Sequence, residues 1–217
     1  MMLMRKKSEI ISLLTDPGVI AVVRAQKVEQ VLPLSEALIE GGVIAIEITM
    51  TTPNAIGAIR EAARKIGPRG VIGVGTVLDA QSCRAAIEAG AEFVVSPILR
   101  PELVEPCRKA DKPIMLGAYT PTEAQLAHEA GADFIKIFPS DGLGPGYIKA
   151  LRAPLPHLRI IPTGIARETD VTEFIKAGCA AVGLGSLLVS QTILRESDWA
   201  ELTRLARKFV ALVREAR

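Results

Sequence analysis

The sequence predicts an α/β protein: a single (β/α)₈ barrel with one extra helix at its N-terminus, spanning residues 1–217. Three observations carry that expectation. Short apolar runs alternate with amphipathic helical stretches, the pattern of a parallel sheet. The runs number eight, which favours closure into a barrel over an open doubly wound sheet. And 49% of the residues are hydrophobic while only 4% are aromatic, so Val, Ile, Leu and Ala must fill the core. Parallel sheets covered by helices on both faces have this composition, because their strands are nearly continuous apolar runs.

Residues 6–15 read as a leading helix, stopped by Asp16-Pro17-Gly18. Strands are expected at 19–24, 44–49, 71–76, 93–96, 113–117, 134–137, 159–162 and 181–185. The helical stretches that follow them cover 28–40, 53–66, 79–89, 101–110, 121–130, 146–151, 168–177 and 198–215. Punctuation agrees. Thr52-Pro53 and Thr120-Pro121 place Pro just inside a helix start, and Gly67 and Gly131 lie just past a helix end. The joint from helix to strand recurs as Glu-Gly-Gly-Val from Glu40, Glu-Ala-Gly-Ala from Glu88 and again from Glu129, and Lys-Ala-Gly-Cys from Lys176. In each, Gly is expected to take the left-handed cap. No GxGxxG follows the first strand, which weakens a dinucleotide-binding alternative.

Composition excludes some function classes. With 26 basic and 24 acidic residues the net charge is +2, so there is no electrostatic case for nucleic acid or a membrane surface. Residues 177–194 carry no charge and are about long enough to span a bilayer, but their Gly, Ser, Gln and Thr fit a buried strand followed by a loop better. The opening Met-Met-Leu-Met-Arg-Lys-Lys lacks the order of a secretion signal, and a cytoplasmic protein is expected. Cys83, Cys107 and Cys179 are odd in number and not closely spaced. They read as ordinary reduced thiols rather than a disulfide framework or a CxxC zinc site.

Barrel active sites form at the C-terminal ends of the strands. Polar residues gather there: Arg24, Glu47 with Thr49 and Thr51, Thr76, Ser96-Pro97, Lys136, Thr163-Gly164 and Gly185-Ser186. The opposite strand ends are expected to carry mostly Gly and Ala. Lys136 stands inside the apolar run Phe134-Ile-Lys-Ile-Phe138. Desolvation there favours the neutral amine, a nucleophile able to form a Schiff base with a ketone. A snorkelling lysine, a counter-ion for a buried acid, or a phosphate ligand are the alternatives. Glu47, between Ile46 and Ile48, must be paired or protonated to be buried. It suits a general acid/base, or else a structural salt bridge to Lys136 or Arg24. Gly and Ser at the ends of strands seven and eight fit phosphate binding through backbone N–H groups, or plain turn chemistry. His128 and His157 fall away from the strand ends, and no cluster of metal ligands is apparent, so neither a metal nor a cofactor is expected.

Several motifs together resemble one family. They are Ala21-Val-Val-Arg-Ala25, Gly41-Gly-Val-Ile-Ala-Ile-Glu-Ile-Thr-Met-Thr-Thr-Pro53, Gly73-Val-Gly-Thr-Val77, Phe93-Val-Val-Ser-Pro97, Phe134-Ile-Lys-Ile-Phe-Pro139 and Pro162-Thr-Gly164. The chain resembles the 2-keto-3-deoxy-6-phosphogluconate (KDPG) and 4-hydroxy-2-oxoglutarate (KHG) aldolases from about residue 19 to residue 189. That resemblance implies a homotrimer of TIM barrels and a metal-independent class I lyase. It implies Lys136 as the Schiff-base lysine and Glu47 as general acid/base. Arg24 and Thr76 would hold the keto-acid carboxylate, and Pro97 and Phe138 would shape the pocket. Thr163, Gly164, Gly185 and Ser186 would receive a distal phosphate. Three positions depart from the family pattern: Thr51 where many members carry a substrate-binding arginine, Leu116 for proline, and Ile165 for the second glycine of Pro-Thr-Gly-Gly. The branched side chain of Ile165 is expected to enter the phosphate region. The substrate expected is KDPG, cleaved to pyruvate and glyceraldehyde 3-phosphate. KHG or the galactonate epimer are enzyme alternatives. A non-catalytic phosphosugar-binding barrel is an alternative of another class.

Overall fold

The computed structural model describes residues 5–217, so the first four residues of the N-terminal reading lie outside it. Helix α1 (Lys7–Thr15) precedes eight β–α units. In order they are β1 (Val19–Val23) and α2 (Val31–Glu40), β2 (Ala45–Thr49) and α3 (Ala55–Ile66), β3 (Val71–Gly75) and α4 (Ala80–Glu88), then β4 (Val94–Val95) and α5 (Val104–Lys109). They continue with β5 (Ile114–Ala118) and α6 (Pro121–Glu129), β6 (Phe134–Ile137) and α7 (Gly144–Arg152), β7 (Ile160–Pro162) and α8 (Glu168–Lys176). The last is β8 (Val182–Leu184), followed by α9 (Gln191–Glu196) and α10 (Trp199–Glu215).

All strand pairs are parallel, in the order β7-β6-β5-β4-β3-β2-β1-β8. A bridge between Thr163 and Gly183, with Ala180 N–H donating to Ile160 O at 2.9 Å, brings β7 to β8 and nearly closes the cylinder. The expected joints form. Gly42, Gly90, Gly131 and Gly178 take φ of +89°, +110°, +100° and +88°, the left-handed turn that sends each helix back into the next strand.

Some boundaries differ from expectation. Asn54 adopts φ +48°, so Thr52-Pro53 forms a turn and α3 starts two residues later than Pro53 suggests. Helix α9 was not expected within the uncharged stretch; Ser190 caps it, its hydroxyl accepting from Ile193 N–H at 3.2 Å. Among the described residues no helix is long and apolar enough to cross a membrane.

Alternation along each strand divides the core in two. Outward residues such as Ala21, Ile46, Val74, Leu116, Ile135 and Leu184 pack against the helices. Inward residues Ile20, Ala45, Val71, Phe93, Val95, Met115, Phe134, Ile161 and Ala181 fill the lower barrel together with Ile10 and Leu14 of α1. Each fully buried Val, Ile, Leu, Met or Phe among them contributes about 1.5–3 kcal/mol. Helix α1 therefore plugs the N-terminal face.

That face corrects one expectation. It carries charges rather than mostly Gly and Ala: Glu92, Lys112, Asp133 and Arg159 stand at or just before the starts of β4 to β7. Arg5 Nη1 meets Glu92 Oε1 at 2.6 Å, Lys7 Nζ meets Asp133 Oδ1 at 2.8 Å, and the Arg159 guanidinium lies 4.2 Å from the centre of the Phe134 ring. The plug needs these partners, because the segment leading into α1 is polar. The cysteines fit the expectation of reduced thiols and add a contact that sequence spacing does not show. The three thiols are free, but Cys83 and Cys107 approach to 3.7 Å between their sulfurs.

Candidate active site

Above the apolar plug the inward positions change character. Glu47 is the middle residue of β2 and Lys136 the third of β6, on opposite sides of the barrel. Strand alternation turns both side chains inward. Lys136 Nζ donates to Glu47 Oε1 at 3.3 Å, and the side chains are only 4% and 3% exposed. An ion pair this buried adds little or nothing to stability, since desolvating two charges offsets their attraction. Moving one proton from the ammonium to the carboxylate converts it to a neutral amine beside a neutral acid.

Glycines make the room. A Cβ at Gly75, next to Thr49 in register, would land on the Glu47 carboxylate. A Cβ at Gly73 would strike the Phe93 ring beneath. Gly117 pairs with Lys136 across β5 and β6, and a Cβ there would collide with the Pro97 carbonyl. Pro97 is thereby brought against the strand beside the lysine. Phe138, one turn of the strand above Lys136, holds its ring centre 5.5 Å from Nζ.

The rim supplies hydroxyls. Thr49, fully buried, donates to Val23 O at 3.1 Å, which commits its single proton. The 2.7 Å contact between Thr49 and Thr51 hydroxyls is then donated by Thr51, leaving the exposed Thr51 oxygen as an acceptor. Thr76 takes φ +59° directly after β3. A β-branched residue in that region is strained by about 1–3 kcal/mol and persists where its surroundings impose it, as functional sites do. Here the Val77 N–H to Val95 O bond of 3.1 Å and the Met50 N–H to Gly75 O bond of 2.8 Å clamp the chain on both sides. Sequence reading picked Thr76 from its position and had no signal for its backbone.

At the β7–β8 seam the Thr163 side chain occupies the space over Gly183 that a Cβ would take. Gly164 follows at φ +83°, close to the Phe138 ring. Ile165 corrects the expectation that it would intrude. Its φ is not positive, its side chain is 3% exposed, and it belongs to the core between barrel and helices. Only its main chain is left for a ligand, because Gly164 makes the reversal that a second glycine would otherwise share. Gly185 O accepts from Leu188 and Val189 N–H at 3.0 and 2.8 Å, opening a tight turn with Ser186 exposed at its start. The Arg24 guanidinium lies beside Gly185, and among the described residues it pairs with no carboxylate. Every proposed site residue thus belongs to the C-terminal face, Ile165 by its backbone alone.

The histidines do not. His128 and His157 face each other at 4.7 Å between ring centres on α6 and the loop before β7, with His157 Nε2 2.9 Å from Gln125 Oε1. Among the described residues no three His, Cys, Asp or Glu side chains are grouped to hold a metal.

Comparison with known proteins agrees with this geometry. The family model "KDPG and KHG aldolase" matches residues 10–205. The chain is 33% identical to the KHG/KDPG aldolase of Escherichia coli strain K12, over 94% of this chain and 96% of that protein. It is 34% identical to the 2-dehydro-3-deoxy-6-phosphogalactonate aldolase of the same strain, over 91% of this chain and 95% of that one. Among solved structures it resembles the KDPG aldolase of Legionella pneumophila with pyruvate captured as a covalent carbinolamine, with a TM-score of 0.84, 29% identity, and 91% and 96% of the two chains covered. With a matching family model over most of its length and a barrel of the same form, the chain belongs to the KDPG and KHG aldolase family.

Proposed function

We propose that this protein is a class I aldolase that cleaves KDPG to pyruvate and glyceraldehyde 3-phosphate, with Lys136 as the covalent residue and no cofactor. The observation that carries the reading is the buried Lys136–Glu47 contact of 3.3 Å at the barrel mouth. Glu47 takes a proton from Lys136, and the neutral amine attacks the C2 ketone. Glu47 then moves protons as the carbinolamine loses water and the iminium forms. The C4 hydroxyl is deprotonated, the C3–C4 bond breaks, and its electron pair flows into the iminium. The aldehyde leaves. The enamine takes a proton at C3 and hydrolyses to pyruvate.

Arg24 and Thr76 serve the keto-acid carboxylate. Thr163, the Gly164–Ile165 main chain and the Gly185–Ser186 turn serve the distal phosphate. Thr51 accepts from a substrate hydroxyl, as its committed proton dictates. Pro97 and Phe138 wall the site. The capture of pyruvate as a covalent carbinolamine in the Legionella relative supports the chemistry.

The protein acts in the cytoplasm as a homotrimer. Supporting assembly, Leu78, Ile98 and Tyr119 follow three neighbouring strands, β3 to β5, and are 44–46% exposed, an apolar rim suited to a second copy. Light scattering should give three times the chain mass; a monomer would remove that part of the reading.

The activity is tested by following pyruvate release from KDPG, KHG and the galactonate epimer, before and after exhaustive EDTA. The expected result is the highest kcat/KM on KDPG, untouched by EDTA. No pyruvate from any of the three, or activity that a divalent ion restores, would overturn the proposal.

A further inference from the structure

The two sulfurs that meet between α4 and α5 take no part in the chemistry above. Cys83 is the fourth residue of α4, Cys107 belongs to α5, and both side chains are fully buried with their sulfurs 3.7 Å apart. We propose that Cys83 and Cys107 are a preformed dithiol, a modification site at which a small peroxide drives an intrachain disulfide tying α4 to α5.

The surroundings allow the closure. A disulfide bond is about 2.0 Å long, so the sulfurs need to approach by roughly 1.7 Å. Helix α5 has six residues and follows a 3₁₀ turn, Pro101–Leu103. Its other side borders a cavity of about 330 Å³ lined by Pro101, Val104, Glu105 and Arg108, so close packing does not hold the helix back on that side. The strand between the two helices, β4, has only two residues, in register with β3 at Val74 and Val94. Local opening of so short a strand and helix admits a peroxide to the buried thiols.

The two sulfurs take different parts. Cys83 lies near the N-terminus of α4, where the helix dipole favours a thiolate. The hydrogen bond from Cys107 also pulls the Cys83 thiol below its ordinary value, while that same bond and burial push Cys107 up. Cys83 therefore attacks. Its thiolate takes one peroxide oxygen, the O–O bond breaks, and a sulfenic acid forms with release of an alkoxide or hydroxide. That base takes the Cys107 proton. The Cys107 thiolate attacks the Cys83 sulfur and expels hydroxide, which recovers the proton first lost by Cys83. Two thiols are oxidised and one peroxide is reduced, giving a disulfide, one alcohol or water, and one further water.

The product encloses β4 and Pro97 in a loop whose ends are 24 positions apart. Closing a loop of that length restricts the unfolded chain and should raise Tm by about 5–10 °C. Cys179 is the internal control, because among the described residues it meets no other cysteine and burial pushes its thiol up to about 12.

The test treats the reduced full-length protein with hydrogen peroxide. Remaining thiols are then alkylated in denaturant, and the peptides are read without reduction. The expected result is a Cys83–Cys107 linked peptide, an alkylated Cys179, and a rise in Tm that dithiothreitol reverses. Cys83→Ser and Cys107→Ser should each abolish the link and the rise, and Cys107→Ser should leave a Cys83 sulfenic acid that dimedone traps. Three alkylated cysteines, a sulfinic acid at Cys83 without a link, or a link through Cys179 would overturn the proposal. If neither variant folds, the wild-type peptide map decides it.

Discussion

The two ends of this barrel treat charge in opposite ways. At the N-terminal face acids and bases meet across separate elements near the surface: Arg5 with Glu92 at 10% and 15% exposure, Lys7 with Asp133 at 29% and 13%. These pairs fasten α1 over the bottom. Inside the C-terminal mouth the Lys136–Glu47 pair is 4% and 3% exposed, and Arg24, Thr51, Thr76 and Ser186 around it are left open for a ligand. The lower pairs are less buried than Lys136–Glu47 and tie elements distant in sequence together, whereas a pair stripped of water is costly to keep and useful chiefly for moving protons. Substitutions at the two ends should therefore separate stability from activity.

The largest effect is expected at Lys136. Lys136→Met should lower kcat by at least about 10³-fold, because no other amine can form the covalent intermediate. It also leaves the Glu47 carboxylate buried and unpaired. Lys136→Met combined with Glu47→Gln should therefore melt no lower than the wild type while remaining inactive. A double variant that is much less stable would make the pair structural. Glu47→Gln alone should fold and lose about 10²–10⁴-fold in kcat; a folded, fully active variant would reduce Glu47 to a counter-ion.

At the other end the expectation reverses. Leu14→Ala should destabilise the protein by about 2–5 kcal/mol in a denaturant titration, with kcat/KM of the folded fraction unchanged. A parallel fall in activity would show that the plug reaches the mouth.

How legible these two ends were differs too. The mouth could be read in outline, since strand period and barrel geometry locate the C-terminal ends, and Lys136 and Glu47 stand out inside apolar runs. The repeated glycine joints also marked the strand starts, because a left-handed cap has a residue signature. The lower face differs from expectation because Glu92 and Asp133 stand just before the expected strands and look like ordinary loop charges until Arg5 and Lys7 fold back over them from a distance in sequence. The meeting of Cys83 and Cys107 was hidden for the same reason. Thr76 carries a strained φ that no composition reveals, and Ile165 turns into the outer core because Gly164 alone makes the reversal. Helix α9 was missed because its Ser, Gln and Thr resemble a loop, with only the cap at Ser190 to mark it.

Two smaller effects sharpen the contrast. Ile165→Val should cost about 0.5–1.5 kcal/mol and leave the ratio of kcat/KM for KDPG over KHG unchanged, as befits a side chain facing the core. A shifted ratio would return that side chain to the site. Burial raises the Glu92 carboxyl above its ordinary 4.5 despite Arg5. The folded state then holds its proton more tightly than the unfolded chain. The stability this adds is complete below 4.5 and is lost as pH rises through the higher folded value. Glu92→Gln should flatten that part of the stability–pH curve without moving the pH profile of kcat.

The most direct test of the central claim is reductive trapping. The protein is incubated with pyruvate and borohydride, digested, and mapped by mass spectrometry. A reduced pyruvyl adduct on Lys136 alone, absent from Lys136→Met, is the result expected. No adduct, or one on any other lysine, would contradict the assignment of Lys136 as the covalent residue.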